Sequence, residues 1–319
     1  MAALPTDLRI DTRSTTRLDD FKNAFKGLRR EETISGLLFV LPNFIGFAAF
    51  TIFPILFSFY MAFMNWDLSG SPEFIGFANF ANLGEDPLFW KTLWNSVYYT
   101  LGAVPIGIAI AFFLALMLNQ KIRGVIVFRT LYFLPQVTLV VASAIVWNWI
   151  YQPDFGLLNY LLGLVGIEGP KWVYSSTWAM PSVIIYCNWM GIPPSALILL
   201  AGLQGIPQEL YEAAEIDGAS TLGRLRYVTF PLMTPSLFFV VVTSLIGAMQ
   251  TFSQFYILTK GGPAFATTPI VMYIYNNAFH YFKLGYASTI SLVLFAILLV
   301  ITIIQWKVAN RWVYGFSGE

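Results

Sequence analysis

The sequence runs to 319 residues, of which 57% are hydrophobic and only 11% charged, with a net charge of +1. That composition belongs to the membrane class and excludes an ordinary soluble domain. The near-zero charge predicts no nucleic-acid partner, and the single cysteine, Cys187, excludes an internal disulfide or a thiolate cluster.

Residues 1–17 predict no regular structure, and Met1–Ile10 lacks the basic start and apolar core of a cleavable leader. Leu18–Glu32 is amphipathic: Leu18, Phe21, Ala24, Phe25 and Leu28 share a face, with Asp19 and Asp20 at its start and Lys26, Arg29 and Arg30 at its end. It reads as a helix lying along the bilayer surface, with a regulatory contact as the alternative.

Six charge-free windows follow: Thr33–Trp66, Thr92–Gln120, Thr130–Pro153, Trp172–Gln208, Tyr227–Thr259 and Leu284–Trp306. Each reaches the ~20 residues a helix needs to cross the hydrocarbon core. They predict an all-α, polytopic chain with spans near 35–62, 94–119, 130–151, 178–203, 233–259 and 286–306.

The first span carries Pro42 and Pro54 and leads into a loop with Glu73, Glu85 and Asp86. The second begins near Trp94-Asn95 and is rich in Ala and Gly, which let helix backbones approach closely. The third contains Pro135-Gln136 and ends in Trp147-Asn148-Trp149-Ile150-Tyr151, read as an interfacial aromatic belt in preference to a ligand contact. In the fourth, Asn188 lies ~15 Å from the start, near the midplane. Pro193 and Pro194 then deny two backbone bonds and predict a broken helix, with the freed carbonyls of Trp189 and Met190 facing a polar cavity.

Ile206–Pro235 is the most polar piece of the second half, with Glu209, Glu212, Glu215, Asp217, Arg224 and Arg226. Pro207 suits a first helical position, Glu209 a first turn, and Gly218 a left-handed stop after Asp217. Ser220 or Thr221 caps a second short helix that ends before Pro231. The fifth span starts beyond Pro235; Thr243 and Ser244 lie near its middle, and Gln250 and Gln254, four residues apart, share a face near Thr251. Such amides either join helices or hydrogen-bond a polyhydroxylated solute. Gly261–Phe282, interrupted by Gly261-Gly262-Pro263, Pro269 and Asn276-Asn277, reads as a loop with an interfacial segment. His280 has no partner for metal or catalytic chemistry.

Alternate sides of these spans carry 14 and 4 of the Lys and Arg residues, which puts both termini and the 204–232 loop in the cytoplasm. No phosphate-cradling loop occurs, no charge lies deep in a span, and no nucleophile–base pair is offered. Neutral polar groups suit an uncharged solute, and energy must then enter from another subunit through the 204–232 loop. An ion-coupled stand-alone carrier is the competing reading, disfavoured by the lack of intramembrane acids and bases.

Glu212-Ala213-Ala214-Glu215-Ile216-Asp217-Gly218-Ala219, followed by Phe230-Pro231-Leu232 and Pro235, resembles the EAA motif of bacterial ABC-importer membrane subunits. Leu258-Thr259-Lys260-Gly261-Gly262-Pro263, and Phe282 with Tyr286-Ala287, are similar to the carbohydrate branch and its maltose-type first permease subunit. The resemblance covers roughly residues 34–310. It implies a type I importer fold in the inner membrane, with a cytoplasmic segment at 1–33, a permease domain at 34–310 and a short tail at 311–319.

It further implies a second permease subunit, two ATPase subunits that hold the ATP and Mg²⁺, an extracytoplasmic solute-binding protein, and surrounding lipid. No cofactor is implied on this chain. Glu212, Ala213, Ala214, Asp217, Gly218 and Arg224 would seat in an ATPase subunit. Asn188, Met190, Gly191, Gln250, Thr251 and Gln254 would contact the solute. Cys187 stands where the maltose-type protein has a polar amide, so another sugar, a glycosylated solute, a glycerol-phosphate-like polyol or a compatible solute also fits.

Overall fold

The computed structural model describes residues 33–68, 70–120 and 123–314; the predicted surface helix Leu18–Glu32 lies outside them. The chain divides into two units, residues 1–60 and 61–319. The first is described as one helix, α1 (Thr33–Met61), with apolar side chains on every face, as a bilayer span requires. It widens into a π turn at Ala48–Ile52, where the Phe53 N–H reaches the Ala48 carbonyl, directly before Pro54.

The second unit opens on a two-residue antiparallel pairing of β1 (Met64–Asn65) with β2 (Glu73–Phe74) and on helix α2 (Ala78–Glu85). Helix α3 (Pro87–Leu118) starts seven residues before the predicted 94, so Trp94-Asn95 lies inside it. The start signal is Asp86-Pro87: the Asp86 carboxylate accepts from the Leu88 N–H at 2.9 Å, and the proline occupies a first-turn position that needs no donor.

The third predicted span is two helices, α4 (Val125–Val137) and α5 (Val140–Ile150), bent by 98°. Pro135 removes a ladder donor, and Thr138 then turns both its N–H (3.3 Å) and its hydroxyl (2.5 Å) onto the Pro135 carbonyl. Thr138 and Leu139 are extended, which ends one helix and begins the next. A short helix, α6 (Leu157–Leu164), follows.

Helix α7 (Ala179–Gln204) runs unbroken through Pro193 and Pro194, against the expected break. Its packing outweighs the two lost bonds: Ile192, Pro193 and Ala196 are buried, and the Ser195 hydroxyl donates to the Gly191 carbonyl at 3.1 Å. After α8 (Gln208–Ile216), helix α9 (Thr221–Met249) is also continuous where a short helix ending before Pro231 was expected. A π turn at Leu225–Thr229 again precedes a proline, the Phe230 N–H reaching the Leu225 carbonyl. The widened turn absorbs the ring in both places.

Helix α9 stops at Met249, ten residues before the predicted 259, and α10 (Ser253–Leu258) follows a non-helical step. The Gly261–Phe282 window holds α11 (Ile270–Tyr275), extended by a π turn at Asn276–His280, too short to span. The chain closes on α12 (Leu284–Trp312). By length and composition α1, α3, α7, α9 and α12 can cross a bilayer, and the α4–α5 pair makes a sixth.

The core of the second unit forms where α3, α7 and α9 meet. Ala111 and Ala115 pack against Ala196, Leu199 and Leu203 and against Met233, Leu237 and Val240. The small side chains of α3 allow that approach. Large apolar residues such as Phe113, Ile126, Phe239 and Phe295 stay exposed, as expected of side chains that face lipid.

Candidate functional site

A cavity of about 330 Å³ lies among α3, the α4–α5 bend, α7, α9 and α10. Helix α3 contributes Tyr99, Ala103 and Gly107; the bend contributes Gln136 and Val140. Cys187, Asn188, Met190, Gly191 and Ser195 come from α7, Ser244, Gly247 and Ala248 from α9, and Thr251 and Gln254 from the step and helix beyond it. Two of its walls are therefore places where the chain departs from a straight helix.

Some of the polar groups are already engaged: Thr251 donates to the Gly247 carbonyl at 2.9 Å and Ser195 to Gly191. The amides of Gln136, Asn188 and Gln254 make no hydrogen bond within the described chain. Each carries two donors and a two-lone-pair acceptor. No Asp, Glu, Lys, Arg or His lines the cavity among the described residues; its ionisable groups are the phenol of Tyr99 and the thiol of Cys187. Such a lining suits hydroxyl-rich, uncharged contents.

Five of the six predicted solute residues, Asn188, Met190, Gly191, Thr251 and Gln254, are brought together here. Gln250 is not among the lining residues; it is exposed at the end of α9. The break after Met249 removes the common helical face that would have paired it with Gln254. Gln136, Ser195 and Ser244 line the cavity without having been predicted. Gln136 had one signal in the sequence, an amide beside a proline in an apolar window.

A second feature lies at the α8 end. Gly218 takes φ +78°, the Ala219 N–H reaches the Ala214 carbonyl at 2.9 Å, and the Gly218 N–H reaches Glu215 at 3.0 Å. This is the paired closure that a left-handed glycine permits. Ser220 caps α9, its hydroxyl accepting from the Gly223 N–H. Arg224 pairs with Glu215 at 3.2 Å, and the Tyr211 and Thr229 hydroxyls meet at 3.1 Å, fixing α8 against the first turns of α9. Of the predicted coupling residues, Glu212, Ala213, Asp217 and Gly218 are exposed, and Ala214 and Arg224 are half-buried. Beside them Ile216 and Leu222 are 87% and 73% exposed.

At the opposite end Asp86 ties three helices together. Its carboxylate caps α3 and accepts from the phenols of Tyr273 (2.5 Å) and Tyr286 (2.6 Å). Burial pushes this carboxyl up, but the two phenols and the Leu88 and Phe89 N–H groups together hold it below the ordinary carboxylate value. The Tyr273 phenol is pushed up to about 12 by burial and by its bond to Asp86.

Residues 32–313 match the family described as binding-protein-dependent transport system inner membrane components. A sulfoquinovosyl glycerol transport system permease protein of Agrobacterium fabrum is 33% identical over 87% of this chain and 91% of its own length. A lactose transport system permease protein of Rhizobium radiobacter is 35% identical over 89% of this chain and 97% of its own. Among solved structures, a chain of a bacterial alginate ABC transporter, in complex with its alginate pentasaccharide-bound periplasmic protein, superposes with a TM-score of 0.78 at 23% identity, over 90% of this chain and 97% of that one. With these spans, this motif and these relatives, the chain belongs to the inner membrane components of binding-protein-dependent transport systems, the permease subunits of ABC importers.

Proposed function

We propose that this permease subunit passes a neutral, polyhydroxylated solute, a sugar or glycoside, through the cavity between α3, α7 and α9. The observation that carries the reading is the set of three unengaged amides, Gln136, Asn188 and Gln254, in a lining without Asp, Glu, Lys, Arg or His among the described residues. The named solute of one relative, lactose, supports a neutral saccharide; that of the other, sulfoquinovosyl glycerol, supports a glycoside, though one that carries a charged sulfonate. The Ile216–Leu222 surface with Glu212, Ala213, Ala214, Asp217, Gly218 and Arg224 meets an ATPase subunit, on which ATP and Mg²⁺ are held. A second permease subunit and a second ATPase complete the assembly, and an extracytoplasmic binding protein delivers the solute. The basic-residue distribution supports placing α8 and both termini in the cytoplasm.

The test is ATP-driven uptake by the assembled transporter in vesicles, with labelled lactose, maltose, sulfoquinovosyl glycerol, glycerol 3-phosphate and glycine betaine. Uptake of a saccharide or glycoside is expected, with a raised KM in Asn188→Ala. Uptake of the phosphate ester or the betaine alone would refute the class. Uptake by this chain without any ATPase would refute the mechanism.

A further inference from the structure

At the end of α3 away from Asp86, the helix stops at Leu118 and α4 begins at Val125. Helix α4 packs on α7 and leaves a crevice of about 400 Å³ against α3. Leu114 and Met117 line one wall; Phe128, Leu131 and Tyr132 line the other. No charged side chain lines it among the described residues, and Met117, Phe128 and Leu131 are each 62% exposed.

A cation is fixed beside this crevice. Arg129 stands four residues after Val125 and three before Tyr132, spacings at which helical side chains are neighbours, and both of those residues line the crevice. Its Nη2 donates to the Leu118 carbonyl at 2.7 Å, which holds the guanidinium at the last turn of α3. Nε is buried without a partner, and Nη1 makes no hydrogen bond and is not sealed inside the chain. Among the described residues no carboxylate pairs with Arg129, or with the exposed Arg123 in the loop before α4. At 1.5 Å per residue Arg129 lies ~6 Å along α4 from its start, which is headgroup depth.

A half-buried, unpaired guanidinium at that depth calls for an anion, and its open N–H groups suit a phosphate. We propose that the crevice binds an anionic phospholipid, with the phosphate on Arg129, Arg123 beside the headgroup and one acyl chain between α3 and α4. Basic pockets between spanning helices on the cytoplasmic side hold anionic headgroups in this way, and the basic-residue distribution supports that side for this end of α3. A protein subunit seated here would have to bring its own carboxylate to Arg129, whereas the bilayer supplies anion and apolar chain together. The site is separate from the solute cavity, whose lining contains neither arginine.

The experiment uses the assembled transporter in phosphatidylcholine nanodiscs to which phosphatidylglycerol is added stepwise. Lipid retained after transfer to detergent is counted by native mass spectrometry. The wild type is expected to retain phosphatidylglycerol in preference to phosphatidylcholine. Arg129→Gln should need about fivefold more phosphatidylglycerol for the same retention, and Arg129→Lys about twofold more. Leu131→Trp, which fills the crevice and keeps both arginines, should also lose the lipid. Arg123→Gln removes a side chain that makes no bond in the described chain; it should need about twofold more, and it replaces Arg129→Gln if that variant does not assemble.

Photocrosslinking from a label on Leu131→Cys gives a second readout, since the chain's own Cys187 is buried. An adduct with phospholipid is expected. An adduct with another permease or an ATPase subunit overturns the inference, as does wild-type retention that ignores headgroup charge. Retention in Arg129→Gln or in Leu131→Trp equal to that of the wild type also overturns it. None of these readouts measures solute KM, so the cavity reading stands or falls separately.

Discussion

Asn188 lies against Gly107 with no room for a methyl group between them: a Cβ at residue 107 would stand 2.6 Å from Asn188 Oδ1. The obstructing atom is the end of a side chain, so Gly107→Ala should turn the Asn188 amide aside without moving either helix. We expect normal insertion and a transport KM raised roughly three- to tenfold, as for one lost hydrogen bond. Gly102→Ala is the matched control, since its Cβ would meet the apolar Cδ1 of Ile184 at the same 2.6 Å. Its KM should stay within about twofold of wild type, because repacking an apolar tip costs stability and not recognition. Equal KM shifts in the two variants would mean that general crowding, and not the amide, is responsible.

At the α8 end, Gly218 has open space around its Cα, so Gly218→Ala meets no steric neighbour. It does force a left-handed conformation on an L residue, at a cost of about 1–2 kcal/mol. That is enough to fray the last turn of α8 and too little to unfold the bundle. We expect ATP hydrolysis to continue while solute uptake per ATP falls severalfold. Gly218→Asn should be milder, since asparagine tolerates this conformation. An unchanged uptake-to-hydrolysis ratio in both variants would remove α8 from the coupling path.

The neighbouring Glu215–Arg224 pair is a weaker tie. Its side chains are 70% and 29% exposed, so solvent screens the attraction and the pair contributes at most about 1 kcal/mol. Glu215→Gln should lower the melting temperature slightly, and the difference should shrink in high salt. A large, salt-independent loss would show that Glu215 has a further role in holding α8.

The spans, the polar loop and the closure at Gly218 were legible because each depends on local signals: long apolar windows, an acidic cluster, and a glycine after Asp217. The element boundaries were harder. Asp86-Pro87 is a strong start signal, but it falls before a window defined by the absence of charge, so Lys91 hid the first turns of α3. The π turns before Pro54 and Pro231 leave no mark in composition. Conversely, Pro193-Pro194 reads as a break, yet burial of Ile192, Pro193 and Ala196 keeps α7 continuous. Of the cavity lining, Asn188, Met190 and Gly191 were legible as neighbours because α7 is regular. That Gln250 stands outside this lining and Gln136 within it depends on chain breaks, which helical spacing does not report.

Asp86 supplies a prediction that titration can check. One carboxylate oxygen caps α3 and the other accepts from Tyr273 and Tyr286, so α3, α11 and α12 share a single anion. Asp86→Asn replaces an acceptor oxygen with a donor and should cost about 2–3 kcal/mol, the range for lost bonds to a charged group. The folded carboxyl titrates below its unfolded value of about 3.9, so its stabilisation is present above that pH and is lost as pH falls through the folded value. The Tyr273 phenol titrates at about 12, above its unfolded value, so its contribution is full below about pH 10 and is lost as pH rises through 12. Between about pH 5 and 9 the network should therefore be insensitive to pH. Melting of the purified protein in detergent should show Asp86→Asn several degrees below wild type across that window, the gap closing at acid pH as the wild-type carboxyl takes up its proton. A variant as stable as wild type at neutral pH would show that the caps and phenols find other partners.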